Sequence, residues 1–149
     1  MFSRFVKWFA SWLPSTTIIV DGKPYLTRHY VLLRDWKWFN IYIHHFHSSD
    51  QGEELHNHPW KWAVSFVFDG GYREEFRIGD YVASKVVFPG NINVVKHTGF
   101  HRVDMLDEEK GAWSIFFAGP RITTRPEWGF WNRDTKEFKD WRENPNAIP

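Results

Sequence analysis

Two histidines one residue apart, His56 and His58, sit in the run Glu54-Leu55-His56-Asn57-His58-Pro59-Trp60. On an extended strand alternate side chains share a face, so the two rings can converge on one point. A metal ion is a natural occupant of that point. Imidazole suits zinc, copper, iron and nickel, and the pair by itself does not choose among them. The spacing also recurs by chance, so support has to come from elsewhere in the chain. A polar loop, Ser48-Ser49-Asp50-Gln51-Gly52-Glu53-Glu54, leads straight into the pair, and functional side chains concentrate on loops of this kind.

The elements that must hold the pair are short and β-rich. Runs of strand character read at Thr16 to Val20, Tyr25 to Leu33, Trp36 to His47, Trp62 to Phe68, Tyr72 to Ile78, Tyr81 to Phe88, Ile92 to Val95, His101 to Leu106 and Trp113 to Ala118. Turn residues separate them: Asp21-Gly22, Asp69-Gly70-Gly71, Gly79-Asp80 and Pro89-Gly90. Along Trp36 to His47, alternation puts Ile41, Ile43, His45 and His47 on one face and Tyr42, His44 and Phe46 on the other, and one of those faces looks inward. The charged residues Arg73, Glu74, Glu75 and Arg77 mark Tyr72 to Ile78 as an exposed strand. Before all of these, Phe2, Phe5, Phe9 and Trp12 fall at helical spacing and predict a short amphipathic helix ending near Pro14, its aromatic stripe packed on the domain or on a second subunit. Contact with a membrane surface is the other use of such a stripe.

Composition sets the outer bounds. At 149 residues the chain makes one domain, read as the helix over 1–14, a β barrel over 15–131 and a polar tail over 132–149 that frays at its end. A formal charge of +1 and the lack of any Lys/Arg block disfavour nucleic acid as a partner. No apolar run spans a bilayer, and a cytoplasmic protein is expected. The absence of cysteine removes disulfides, thiolate metal sites and a cysteine nucleophile. Ten Trp and fourteen Phe exceed what one small domain easily hides, so some of these rings line a cavity or an interface, a homodimer among the options. The aromatic run Trp128-Gly129-Phe130-Trp131 could wall a ligand cavity or plug the barrel end.

His56 and His58 fill the paired-histidine position of the cupin pattern, and Gly70 falls where that pattern's closing glycine stands. The chain therefore resembles the cupins over roughly Tyr42 to Ala118. It departs from them at Ala63, which occupies the glutamate-ligand position, and in the second half, where His97-Thr98-Gly99 replaces a proline-led turn and His101 arrives one residue early. The phrase His101-Arg102-Val103-Asp104 resembles a segment of the cysteine-dioxygenase branch, which likewise lacks the glutamate and binds iron through three histidines. Phe46 to Asp50, Leu55 to Trp60 and Trp128 to Trp131 look like small bacterial and phage cupin-like proteins, from which no activity is inherited. The resemblance implies an all-β double-stranded β-helix, a cupin jelly-roll barrel, with His56, His58 and His101 on a divalent metal. Iron(II) is the first choice by that resemblance, with zinc, nickel and manganese behind it.

Three neutral imidazoles leave positions open on the ion, an arrangement suited to catalysis rather than to a closed structural site. Residues that could line such a site are His45, His97, Glu54 and Arg121. Either Glu53 or Glu54 could replace the missing carboxylate, and Arg121 with Arg125 could clamp an anionic substrate. Acceptors for the ligand rings are sought among Asp50, Glu53, Glu54 and Asp104. Two functional classes follow: a mononuclear non-haem metalloenzyme of oxygenase type acting on a small molecule, or a non-catalytic accessory cupin that binds a sugar or nucleotide. A sugar-nucleotide epimerase or isomerase would further need an acid and base that the sequence does not locate. The fold alone cannot choose, because cupins host many reactions.

Overall fold

The computed structural model describes residues 1–32, 36 and 38–143. One helix, α1 (Phe2–Ala10), precedes twelve strands. These are β1 (Ser15–Val20), β2 (Lys23–Tyr30), β3 (Asn40–Phe46), β4 (Leu55–His56), β5 (Trp62–Asp69), β6 (Tyr72–Ile78), β7 (Tyr81–Val87), β8 (Ile92–Lys96), β9 (His101–Met105), β10 (Ala112–Ala118), β11 (Gly129–Trp131) and β12 (Phe138–Asp140). They form two six-stranded sheets, ordered β1-β2-β3-β10-β5-β8 and β12-β11-β4-β9-β6-β7, and every pairing is antiparallel.

The pairings have a simple logic. Strand β6 pairs with β7, β5 with β8, β4 with β9 and β3 with β10. The chain from β3 to β10 is thus one long hairpin, bent at Gly79-Asp80 and rolled up so that its arms pass between the two sheets. This is the double-stranded β-helix expected from the sequence, and it brings β4, which carries His56, beside β9, which carries His101. The two-residue strand β4 is held between β9 and β11, which pair its backbone groups from both sides.

Glycine makes two of the bends possible. Asp21 and Gly22 both have positive φ, 48° and 75°, the geometry of the tight hairpin turn that Asp-Gly favours. Gly70, at φ 69°, lies so close to Gly111 that a Cβ would overlap the Gly111 carbonyl oxygen. That contact holds the passage from β5 into β6 against the start of β10.

Alternation divides the side chains of β3. Tyr42, His44 and Phe46 face the barrel interior, Tyr42 in a cluster with Trp60, Ala63, Phe116 and Ala118, and Phe46 against Val67, Tyr72, Val87, Val103, Met105 and Ala112. Ile43 lies on the outer face with Phe68, beneath Val6 and Ala10 of α1.

The structure corrects three sequence expectations. Helix α1 docks through Val6 and Ala10, and of the expected aromatic stripe Phe2 also packs on the domain, its ring 6.4 Å from Phe66 and 5.9 Å from Phe68, whereas Phe5 is 59% exposed and Trp12 74% exposed, with Trp8 between them in ring contact at 5.9 and 6.2 Å. Ser3 Oγ donates to Asp69 at 2.7 Å and Lys7 Nζ pairs with the same carboxylate at 2.6 Å. These contacts set the rotation of the helix, and the outer face of the sheet already supplies Phe66, Phe68 and Trp113 as rings to pack on. Strand β6 is internal, between β9 and β7, so its Glu74 is 2% exposed. The second sheet also continues past Trp131. Asn132 Oδ1 accepts from the backbone N–H groups of Asp134 and Thr135, closing a turn that returns β12 onto β11. The end of the expected 132–149 tail, from residue 144 onward, lies outside the described residues, as do Leu33 and Lys37 of the expected strands. Among the described residues no helix is long and apolar enough to cross a membrane.

Candidate metal centre

His56 and His101 are directly opposed on β4 and β9, and their rings stand 5.0 Å apart. His58, just past the end of β4, completes a triangle, its ring 5.0 Å from each of the others. One ring nitrogen from each histidine lies within 4.8 Å of the other two, and among the described residues no other group gathers three potential ligand atoms in this way. Nε2 of His58 and Nε2 of His101 are 2.8 Å apart and share a hydrogen bond. Two imidazole nitrogens on one ion, each about 2.1 Å from it, stand roughly 3.0–3.4 Å apart. A small outward shift therefore turns this hydrogen bond into a pair of metal bonds.

Two of the three rings are held from behind. His101 Nδ1 donates to Glu74 Oε1 at 2.5 Å, and the same oxygen accepts from Asn93 Nδ2 at 2.9 Å. Lys85 Nζ lies 3.0 Å from the other Glu74 oxygen. His56 Nδ1 is 3.6 Å from Asp50 Oδ2, which leaves its Nε2 for an ion. Asp50 is fixed in turn by the Tyr25 hydroxyl and by the Val103 N–H at 2.7 Å. Asn57 points away from its flanking histidines and ties the loop to its neighbours: Oδ1 accepts from Gly129 N at 2.8 Å, and Nδ2 donates to the His97 carbonyl at 2.8 Å.

Burial holds two of the rings neutral. Desolvation lowers His56 to about 4 despite the opposing charge of Asp50, and it carries His58 well below the usual histidine range, helped by His56, His101, Arg28 and His44. Burial would raise Glu74, but the hydrogen bond from His101, with those from Asn93 and Lys85, outweighs it and holds the carboxyl down at about 2. Neutral imidazoles backed by an ionised carboxylate are what a divalent cation requires of its ligands. The donor set fits such an ion.

The remaining sequence candidates fall elsewhere. His45 lies on the outer face of β3, stacked on Trp113 at 4.0 Å, because it is out of phase with the inward residues Tyr42 and His44. His97 supports the site without lining it: Nδ1 donates to the His58 carbonyl at 3.0 Å, and its ring borders a cleft of about 320 Å³ that none of the three histidines lines. Glu54 contributes no atom to the histidine group. Arg121 is half exposed and paired with Glu127 at 3.3 Å. Glu53 and Asp104 pair with Arg102 rather than with a histidine. Glu74 was not among the sequence candidates, although a signal for it was present: alternation places it with Tyr72 and Phe76, not with Arg73, Glu75 and Arg77. Phe130 of the aromatic run pairs with His56 across β11 and β4, its ring 6.4 Å away, so it borders the site, whereas Trp131 is buried against Arg77.

Solved structures share this architecture. Fe(II)-HppE, crystallised with the alternative substrate (S)-1-HPP, superposes with a TM-score of 0.58 at 12% identity, over 73% of this chain and 57% of that one. KdgF from Halomonas sp. gives 0.52 at 19% identity, over 72% and 89%. A variant of oxalate decarboxylase from Bacillus subtilis gives 0.54 at 14% identity, over 75% and 28%. The fold is the cupin jelly roll. The chain spans little more than half the length of HppE. No protein-family model matches the chain, and no curated protein does.

The position at which the sequence resemblance expects a glutamate ligand offers no metal-binding atom. Ala63 occupies it, fully buried among Tyr42, Trp60, Phe116 and Ala118. Among the described residues no carboxylate joins the histidines as a ligand, and Glu74 and Asp50 stand behind the histidines rather than beside them.

Proposed function

We propose that the protein is a mononuclear metal-dependent cupin of oxygenase type, holding one divalent ion on His56, His58 and His101 and acting on a small molecule. The observation that carries this reading is the convergence of three imidazoles with no carboxylate among them. Three neutral ligands leave the charge of the ion uncompensated and leave two or three positions open, which suits chemistry better than scaffolding. The Fe(II) in HppE favours iron, with zinc, nickel and manganese as competitors. When bound, iron(II) would supply one-electron and dioxygen chemistry. The chain's own part is to hold and orient: Glu74 fixes the His101 ring, Asp50 stands behind His56, and Trp60, stacked 5.5 Å from His58, walls the site against water.

The test is elemental analysis of untagged protein purified without chelator, before and after anaerobic loading with ferrous iron. About one metal per chain, lost in His58→Ala while the β-sheet circular dichroism persists, supports the reading. No metal under either condition overturns it and leaves a cupin that binds an organic ligand directly.

A further inference from the structure

Beside the three histidines, the inner face of the first sheet carries a row of polar side chains with buried atoms that have no hydrogen-bond partner among the described residues. Arg28 on β2 is registered opposite His44 on β3, and His44 is opposite Ser114 on β10. Cross-strand partners share a face, and here it is the interior. His44 is 3% exposed and Ser114 1%. Both ring nitrogens of His44, the Ser114 hydroxyl and Arg28 Nε are buried without a partner among the described residues. Unsatisfied buried polar atoms are individually costly, about 1–3 kcal/mol each, and rare in folded proteins. Four in one three-residue row call for a ligand.

The charge in the row is equally uncompensated. Arg28 makes no ion pair with any carboxylate among the described residues. Its guanidinium lies instead over two rings, 5.0 Å from Tyr42 and 5.7 Å from Trp60. Trp60 also stacks on His58, so one indole touches both the cation and the histidine cluster. Stacked between Tyr42 at 5.6 Å and Phe116 at 4.6 Å, His44 gives the row flat aromatic walls. A guanidinium offers paired donors that match a carboxylate or phosphoryl group, and a neutral imidazole and a hydroxyl add donors beside it.

We infer that Arg28, His44 and Ser114 form an oxyanion-binding subsite next to the three histidines, so that the small molecule taken by this protein carries a carboxylate or phosphoryl group on a compact planar body. The substrate class rests on the proposed function. The anion subsite is tested independently of the metal. Arg28 takes the role that the sequence assigned to Arg121, which lies outside the barrel paired with Glu127.

The test is calorimetric titration of benzoate and of inorganic phosphate into wild-type and Arg28→Gln protein, each metal-free and after metal loading, with metal content measured in parallel. Wild-type protein binds at least one of the two anions, and the tighter one identifies the anionic group. Arg28→Gln weakens that binding by about ten- to a hundredfold, the loss expected for a charge-assisted hydrogen bond, without changing metal content. Ser114→Ala serves if Arg28→Gln does not fold, and weakens the same anion about three- to tenfold. Absence of binding by both anions in either form, or equal affinity in wild type and variant, overturns the inference. Loss of metal content alone, with the Arg28-dependent anion binding retained, overturns the metal reading and leaves the subsite standing.

Discussion

Glu74 Oε1 stands 2.5 Å from Nδ1 of His101, on the side of the ring away from His58. That contact fixes which nitrogen of His101 is left for a metal, because Nδ1 must carry the proton it donates to Glu74. It also raises the basicity of the ring. Replacing the carboxylate by an amide keeps the shape and removes the charge. Glu74→Gln is expected to lower metal affinity by about ten- to a hundredfold in a chelator-competition titration while the protein stays folded. Unchanged affinity would mean that Glu74 serves the core alone.

The three ligands differ in how firmly they are tied. His56 and His101 sit on paired strands, whereas His58 follows the end of β4 and is held by the His97 hydrogen bond to its carbonyl and by stacking on Trp60. His56→Ala and His58→Ala are each expected to abolish stoichiometric metal, and His101→Ala to weaken it strongly. A double His56→Ala/His58→Ala protein that still holds one ion per chain would place the site elsewhere.

Much of this was legible from residue types. Strand positions followed from alternation and from turn glycines, because a rolled-up hairpin buries one face of each strand and bends where Gly or Asp-Gly allows. The three histidines were legible as well, two from their spacing and the third from the resemblance. What misled was charge read without phase. Glu74 is one of four charged residues on its strand, yet its position in the alternation puts it inside, where His101, Asn93 and Lys85 compensate it. Arg28 was passed over for a related reason: a lone arginine on a strand carries no motif, and only its register opposite His44 shows that it points inward. The β11–β12 hairpin was missed because its turn is closed by the Asn132 side chain in a segment with no hydrophobic alternation.

The histidine cluster makes stability depend on pH in a defined direction. His56 is lowered to about 4 and His58 further below its usual value, both chiefly by burial. An unfolded histidine binds a proton below about pH 6.5. As pH falls from there, the unfolded chain takes up protons that the folded chain refuses, so stability is whole above that value and declines toward about pH 4. The slope is about 1.4 kcal/mol per pH unit for each such group. Urea denaturation of the metal-free protein at a series of pH values should show a plateau at neutral pH and this decline below it. Bound metal should shift the whole curve upward and steepen its acid limb, since protons compete for the same nitrogens. A flat profile through the acid range would mean that these rings are not held neutral by burial.

The docking of α1 makes opposite predictions for two residues on one helix. By the helical spacing of its aromatics, Trp12 belongs to the packed stripe, and its loss should be costly. In the structure Trp12 is exposed and Ala10 is completely buried against the outer face of the sheet, with Val6 beside it. A small residue is needed there because the backbone approaches rings that project from the sheet. Ala10→Leu is therefore expected to destabilise the protein by about 1–3 kcal/mol through overpacking, and Trp12→Gln to stay within about 0.5 kcal/mol of wild type. The helix is clocked by Asp69, whose carboxyl the hydrogen bonds of Lys7 and Ser3 hold down at about 2, so Asp69→Ala should lower stability in the same assay without touching metal content. Were Trp12→Gln the damaging change and Ala10→Leu the neutral one, the helix would have to pack through its aromatic stripe after all, turned about its axis and away from the Asp69 anchor.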